Sequence, residues 1–123
     1  MRKLAGLSAV LLFSASLLAS PHAGIRLEIL FFTASWCGPC RAVSPVLHEF
    51  QKRHETEVRL LYVDFDTDRN QAERWRVEEI PVVIVLASDG RILLRADGAG
   101  RETLRSLEKG LERALEQVRK EPR

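Results

Sequence analysis

Apolar and polar positions divide the chain into short runs whose spacing alternates between strand-like and helical. Leu27-Glu28-Ile29-Leu30-Phe31-Phe32 is a mostly apolar run, the pattern of a buried strand. Val43, Val46, Leu47 and Phe50 then recur at helical spacing, with Gln51, Lys52 and Arg53 on the outside. Pro39 stands where the first turn of that helix tolerates proline, and Pro45 lies inside it and predicts a kink. Val58 to Phe65 reads as a second strand, ended by Asp66-Thr67-Asp68. Asp68 and Gln71 are spaced as a capping box for a short helix through Trp75. Val82 to Leu86 is the clearest strand, Asp89-Gly90 a hairpin signal, and Arg91 to Arg95 its return. Gly98 and Gly100 punctuate before a last helix that carries Leu104, Leu107, Leu111, Leu115 and Val118 on one stripe. Gly110 interrupts this helix at a cost of roughly 1 kcal/mol against Ala.

The element order is therefore βαβαββα, an α/β chain. Strands linked through helices favour parallel pairing, and the hairpin adds an antiparallel edge. A four-stranded mixed sheet flanked by helices on both faces follows.

The stretch before the first strand has a different pattern. Arg2 and Lys3 precede Leu4 to Ala19, an uncharged run of 16 residues that Pro21 and Gly24 break. This is the layout of a secretory signal, slightly short of the ~20 residues that comfortably span a bilayer. The run has no polar face and no A-x-A triplet at its end, so an uncleaved N-terminal membrane anchor stays open beside a cleaved signal. The reading is residues 1–23 as signal or anchor, residues 24–123 as one domain, and a periplasmic or other extracytoplasmic location.

Charge sharpens this division. The chain has 19 basic and 17 acidic residues, but Arg2 and Lys3 lie in the leader and every acid lies beyond it. The domain is therefore balanced, which gives no electrostatic footprint for nucleic acid. A hydrophobic fraction of 46% with 29% charged residues is that of a folded domain rather than a disordered chain.

Two cysteines, Cys37 and Cys40, stand at C-x-x-C spacing. A bridge between them closes too small a loop to stabilise the fold much, so the pair points to chemistry. Disulfide exchange needs a stabilised thiolate and a second thiol close enough to resolve the mixed disulfide. Cys37 falls at the start of the predicted helix, where unpaired N–H groups and the helix dipole favour negative charge, and Cys40 lies one turn on. Gly38 removes bulk from the approach, and Pro39 leaves the Cys40 amide available. Zinc would need four ligands, and His48 and His54 are six apart, outside the usual spacing. Haem attachment needs a histidine where Arg41 stands. Neither a metal nor a cofactor is expected beyond the redox disulfide itself, and both histidines read as surface residues. Trp75 and Tyr62 read as packing, and Glu78 and Glu79 as a solvated loop.

Trp36-Cys37-Gly38-Pro39-Cys40 after a hydrophobic strand resembles the thioredoxin family. Pro45, Asp66, Ile80-Pro81 and Gly98 agree in position, so the resemblance covers nearly all of residues 26 to 119. It implies a thioredoxin-like fold without the usual first strand and helix, and a protein-disulfide oxidoreductase. It also implies Cys37 as nucleophile, Cys40 as resolving thiol, and Trp36, Gly38, Pro39, Ile80 and Pro81 as the substrate-docking surface. A cis Ile80–Pro81 bond rests on the resemblance alone, because only about 5–6% of X-Pro bonds are cis. Three departures stand out. Phe31 occupies the position of a buried acid that many members use to move the Cys40 proton, Tyr62 replaces a common lysine, and the first strand and helix are missing. Glu28 is near in sequence, but strand alternation turns it to the opposite face. Proton transfer at Cys40 is thus left to water or another group.

By the same resemblance, Gly38-Pro39, the dipeptide of reducing thioredoxins, implies reduction of protein disulfides, with electrons from a membrane thiol partner. An exported oxidase or isomerase with the same residues, and a non-catalytic binding module, are the alternatives.

Overall fold

A computed structural model describes residues 24–122, so residues 1–23, read above as a signal or anchor, lie outside the described residues. The elements run β1 (Leu27–Thr33), α1 (Cys40–Arg53), β2 (Val58–Asp64), α2 (Arg69–Arg74), β3 (Val82–Ala87), β4 (Ile92–Asp97) and α3 (Arg101–Lys120). Each expected strand and helix is present, and among the described residues nothing regular precedes β1. No described helix is long and apolar enough to cross a membrane.

The sheet order is β2-β1-β3-β4. β1 pairs parallel with β2, whereas β3 runs antiparallel to both β1 and β4. The expectation of parallel pairing across both helical connections is corrected at β3. Connection length explains the difference. The 14 residues of α1 span about 21 Å, enough to run back along a seven-residue strand of about 23 Å. The six residues of α2 span only about 9 Å, so the chain re-enters the sheet from the end at which β2 left it.

Alternation along β1 divides the core in two. Leu27, Ile29 and Phe31 face α1 and α3, packing with Val43, Leu47, Phe50, Leu107, Leu111 and Leu115. Leu30 and Phe32 face α2, packing with Ala72, Val77, Val82 and Ile84. β3 is buried along its whole length, which accounts for its unbroken apolar sequence.

Local details depart from expectation at three points. Asp68 accepts a hydrogen bond from the Gln71 N–H at 3.4 Å, but Gln71 does not reach back. Its side chain accepts instead from the Trp75 indole at 3.1 Å, so only half of the capping box forms. The hairpin is a three-residue loop closed by Gly90, whose φ of 91° suits glycine, and the return strand extends to Asp97 with an irregularity opposite Val85 and Leu86. Helix α1 continues from Cys40 to Arg53 with Pro45 inside it.

Candidate active site

The chain leaves β1 at Thr33 and turns through Ala34 to Pro39 before α1 begins. The Cys37 N–H donates to the Ala34 carbonyl at 3.1 Å, and Arg41 and Ala42 donate back to Gly38 and Pro39, each at 3.1 Å. Pro39 is the N-cap, with helical φ and ψ and no side-chain capping bond. The first orphan amides of α1 are thus free of a polar side chain. One of them is used: the Cys40 N–H donates to Cys37 Sγ at 3.3 Å. Cys37 lies in the turn three residues ahead of Cys40, which itself opens the helix, a small shift from the expected placement. The two sulfurs form a disulfide, with the Cα atoms 5.4 Å apart. A hydrogen bond from a helix N-terminus onto sulfur favours the thiolate of Cys37 once that bond is reduced.

The disulfide lies almost flush with the core. Each cysteine is only 3% exposed, because both belong to the cluster that contains Phe31, Ala34 and Val43. The rim around them is open. Trp36 is 63% exposed, and Gly38, Pro39 and Arg41 are exposed. A Cβ added at Gly38 would meet nothing within 4 Å, so access from that side is unobstructed. The Trp36 indole N–H donates to Asp66 Oδ2 at 2.7 Å, fixing the ring against the loop after β2. Asp64 shapes that loop by accepting from the Asp66 and Thr67 amides at 2.9 and 3.1 Å. This tether joins residues 30 apart, and nothing in the sequence pattern pairs them.

Ile80 and Pro81 are joined by a cis peptide bond. Pro81 is buried, and its carbonyl accepts from the Gly98 N–H at 2.9 Å. Ile80 is half-buried and packs against both core clusters, including the one that holds the cysteines. The fold thus gathers Cys37, Cys40 and Ile80 at one end of the sheet, with Trp36 beside the disulfide.

Phe31 is 1% exposed and fills the core on the cysteine side of β1, while Glu28 faces the other way and pairs with Arg59. Among the described residues no polar or charged side chain is fully buried, so no buried acid stands in for the one that Phe31 displaces. Tyr62 packs edge-on against Phe31 at 5.7 Å, as expected, while staying 55% exposed at the rim. His54 is corrected in the other direction. It is half-buried against Phe50, 3.8 Å from Glu112, whereas His48 is exposed. Trp75 packs against the α2-side core as expected. Perturbed titrations lie away from this site: hydrogen bonding from Arg119 holds the Glu57 carboxyl below its usual range, and the Arg91 amide does the same for Asp89.

Comparison with known proteins agrees with this geometry. The thioredoxin family model matches residues 19–113. A thioredoxin H-type of Picea mariana is 40% identical over 79 residues, covering 64% of this chain and 62% of the relative. One from Oryza sativa subsp. indica is 36% identical over 94 residues, covering 76% and 75%. The chain spans about six-tenths of the length of the first curated relatives it matches. Among solved structures, thioredoxin from Trypanosoma brucei brucei superposes with a TM-score of 0.64 at 28% identity, covering 76% of this chain and 77% of that one. Fasciola hepatica thioredoxin gives 0.58 at 31% identity, covering 68% and 79%.

Proposed function

The chain belongs to the thioredoxin family, and from that premise we propose that it is a thiol–disulfide oxidoreductase that reduces protein disulfides outside the cytoplasm. The observation that carries this reading is the Cys40 amide directed onto Cys37 Sγ at the start of α1. In the reduced protein, the Cys37 thiolate attacks one sulfur of a substrate disulfide and expels the other as a thiolate. Cys40 then attacks Cys37 Sγ, releasing the second substrate thiol and forming the Cys37–Cys40 bond. Two electrons and two protons pass to the substrate, and an external dithiol, for which a membrane thiol reductant is suited, restores the pair. Trp36, Gly38 and Pro39 form the docking rim, and Ile80–Pro81 offers backbone to an extended substrate segment. With Phe31 in place of an acid, the Cys40 proton exchanges with water.

Two sequence features support the finer terms. Gly38-Pro39 supports the reducing direction, and Arg2, Lys3 and the apolar run 4–19 support export. Insulin reduction by the wild-type chain, abolished in Cys37→Ser, is the expected result. Cys40→Ala is expected to trap mixed disulfides on Cys37, and the absence of any captured partner would overturn the enzymatic reading. A reduction potential of about −120 mV would instead reverse the direction. Cell fractionation with N-terminal sequencing checks the location and whether the leader is removed.

A further inference from the structure

The segment between α2 and β3 carries Ile80 and Pro81 but has little regular hydrogen bonding of its own. Val77 pins its middle, 5% exposed and donating from its N–H to the Ala72 carbonyl at 2.8 Å. Arg76 adopts a φ of 53°, a region that residues with a Cβ seldom occupy. The carbonyls at this helix end need donors from elsewhere. β4 supplies them. Arg95 lies opposite Ile84, whose side chain belongs to the α2-side core, so Arg95 points to the face where α2 ends. Its Nη1 donates to the Trp75 carbonyl at 2.7 Å and its Nη2 to the Arg76 carbonyl at 3.1 Å. Asp97 accepts from Nε and Nη2, each at 3.1 Å, and sets the plane of the fork. The next residue, Gly98, donates to the Pro81 carbonyl. The end of β4 and the glycine after it, residues 95–98, therefore grip both ends of the loop, at Trp75–Arg76 and at Pro81.

We infer that Arg95 is a positioning residue for substrate docking, holding the loop of residues 75–81 so that the Ile80–Pro81 backbone is ready to pair with a protein substrate. The inference rests on the oxidoreductase reading. An Arg95–Asp97 pair alone, with side chains 35% and 58% exposed, would matter little. The two carbonyl bonds make the difference, because they remove loop freedom that binding would otherwise have to remove. A lysine has no planar fork and holds at most one of those carbonyls well.

The test compares the full chain with Arg95→Ala and Arg95→Lys on two substrates, insulin under turnover with dithiothreitol, and a small disulfide added to chain that has been pre-reduced and freed of dithiothreitol. Insulin must dock along the rail, whereas 5,5′-dithiobis(2-nitrobenzoate) is too small to use it. Arg95→Ala is expected to raise KM for insulin roughly tenfold with kcat little changed. Its rate on the small disulfide and the Cys37–Cys40 reduction potential are expected to stay at the wild-type values. Arg95→Lys is expected to raise the insulin KM roughly threefold, and decides the matter if Arg95→Ala does not fold. An insulin KM unmoved in the folded variants, or an equal loss on both substrates, would overturn the inference while leaving the oxidoreductase reading intact. A wild-type chain inactive on both substrates would remove that reading, and the inference with it.

Discussion

Phe31 shows how one side chain sets the character of the site. It is 1% exposed in the cluster that holds Cys37 and Cys40, with Tyr62 packed edge-on against it from β2. A carboxylate there would lose its hydration and find no buried polar partner among the described residues. Phe31→Asp is therefore expected to destabilise the oxidised protein by roughly 3–5 kcal/mol, combining a lost aromatic with a buried acid. Urea unfolding followed by far-UV circular dichroism measures this, and a loss below about 1 kcal/mol would show that the position is wetter than the packing indicates. Trp36 differs in kind. Its ring is largely solvent-exposed and its orientation comes from one hydrogen bond to Asp66, so it presents surface without anchoring the core.

At the scale of elements, α3 and β4 meet more closely than their sequences suggest. An ideal Cβ on Gly110 would lie 2.8 Å from Leu94 Cδ2 and 3.2 Å from Cδ1. Helical pattern alone makes Gly110 a weak point, and Ala there would gain roughly 1 kcal/mol. The approach to β4 opposes that gain, because Leu94 must leave its rotamer, at about 0.5–1.5 kcal/mol. Gly110→Ala is thus expected to be near neutral in the wild-type background and to stabilise by about 1 kcal/mol when combined with Leu94→Ala, relative to Leu94→Ala alone. A double-mutant cycle in urea checks it. Equal effects in both backgrounds would mean that the glycine serves no packing purpose.

Across the whole molecule, Glu57 ties the C-terminal helix to the start of the described chain. Its carboxylate accepts from Arg119 at 2.6 and 3.2 Å and lies 3.4 Å from Arg26, whose Nη1 donates to the Val118 carbonyl. The Arg119 hydrogen bonds, aided by both arginine charges, hold the Glu57 pKa below 4.5 in the folded state. A depressed carboxylate pKa contributes stability that is complete above the unfolded value and is lost as pH falls through the folded one. Glu57→Gln is expected to cost about 1 kcal/mol at pH 7, discounted for partial exposure. The wild-type and variant stabilities should converge as the pH falls out of the ordinary carboxylate range and through the lowered folded-state pKa. Denaturant midpoints at pH 7 and across the acid range test the sign; a gap that persists in acid would assign the effect to packing.

Hydrophobic spacing determined the elements, because burial on one face leaves a period that can be read without coordinates. It revealed the strand of Val82–Leu86, the leucine stripe of α3 and the position of Cys37 and Cys40 at a helix start. The chemistry of the site was equally legible, since C-x-x-C is a local arrangement whose partners lie within one turn. Spacing did not determine the direction of β3, which depended on α2 being too short to run back along the sheet. Nor did it pair Trp36 with Asp66, or Arg95 with the carbonyls of Trp75 and Arg76. Those contacts join residues about 20 to 30 apart, and a polar side chain's partner is chosen by where the backbone brings it. Tertiary structure alone decided how the loop of residues 75–81 is held, at the end of the sheet where the sequence had already located the cysteine pair.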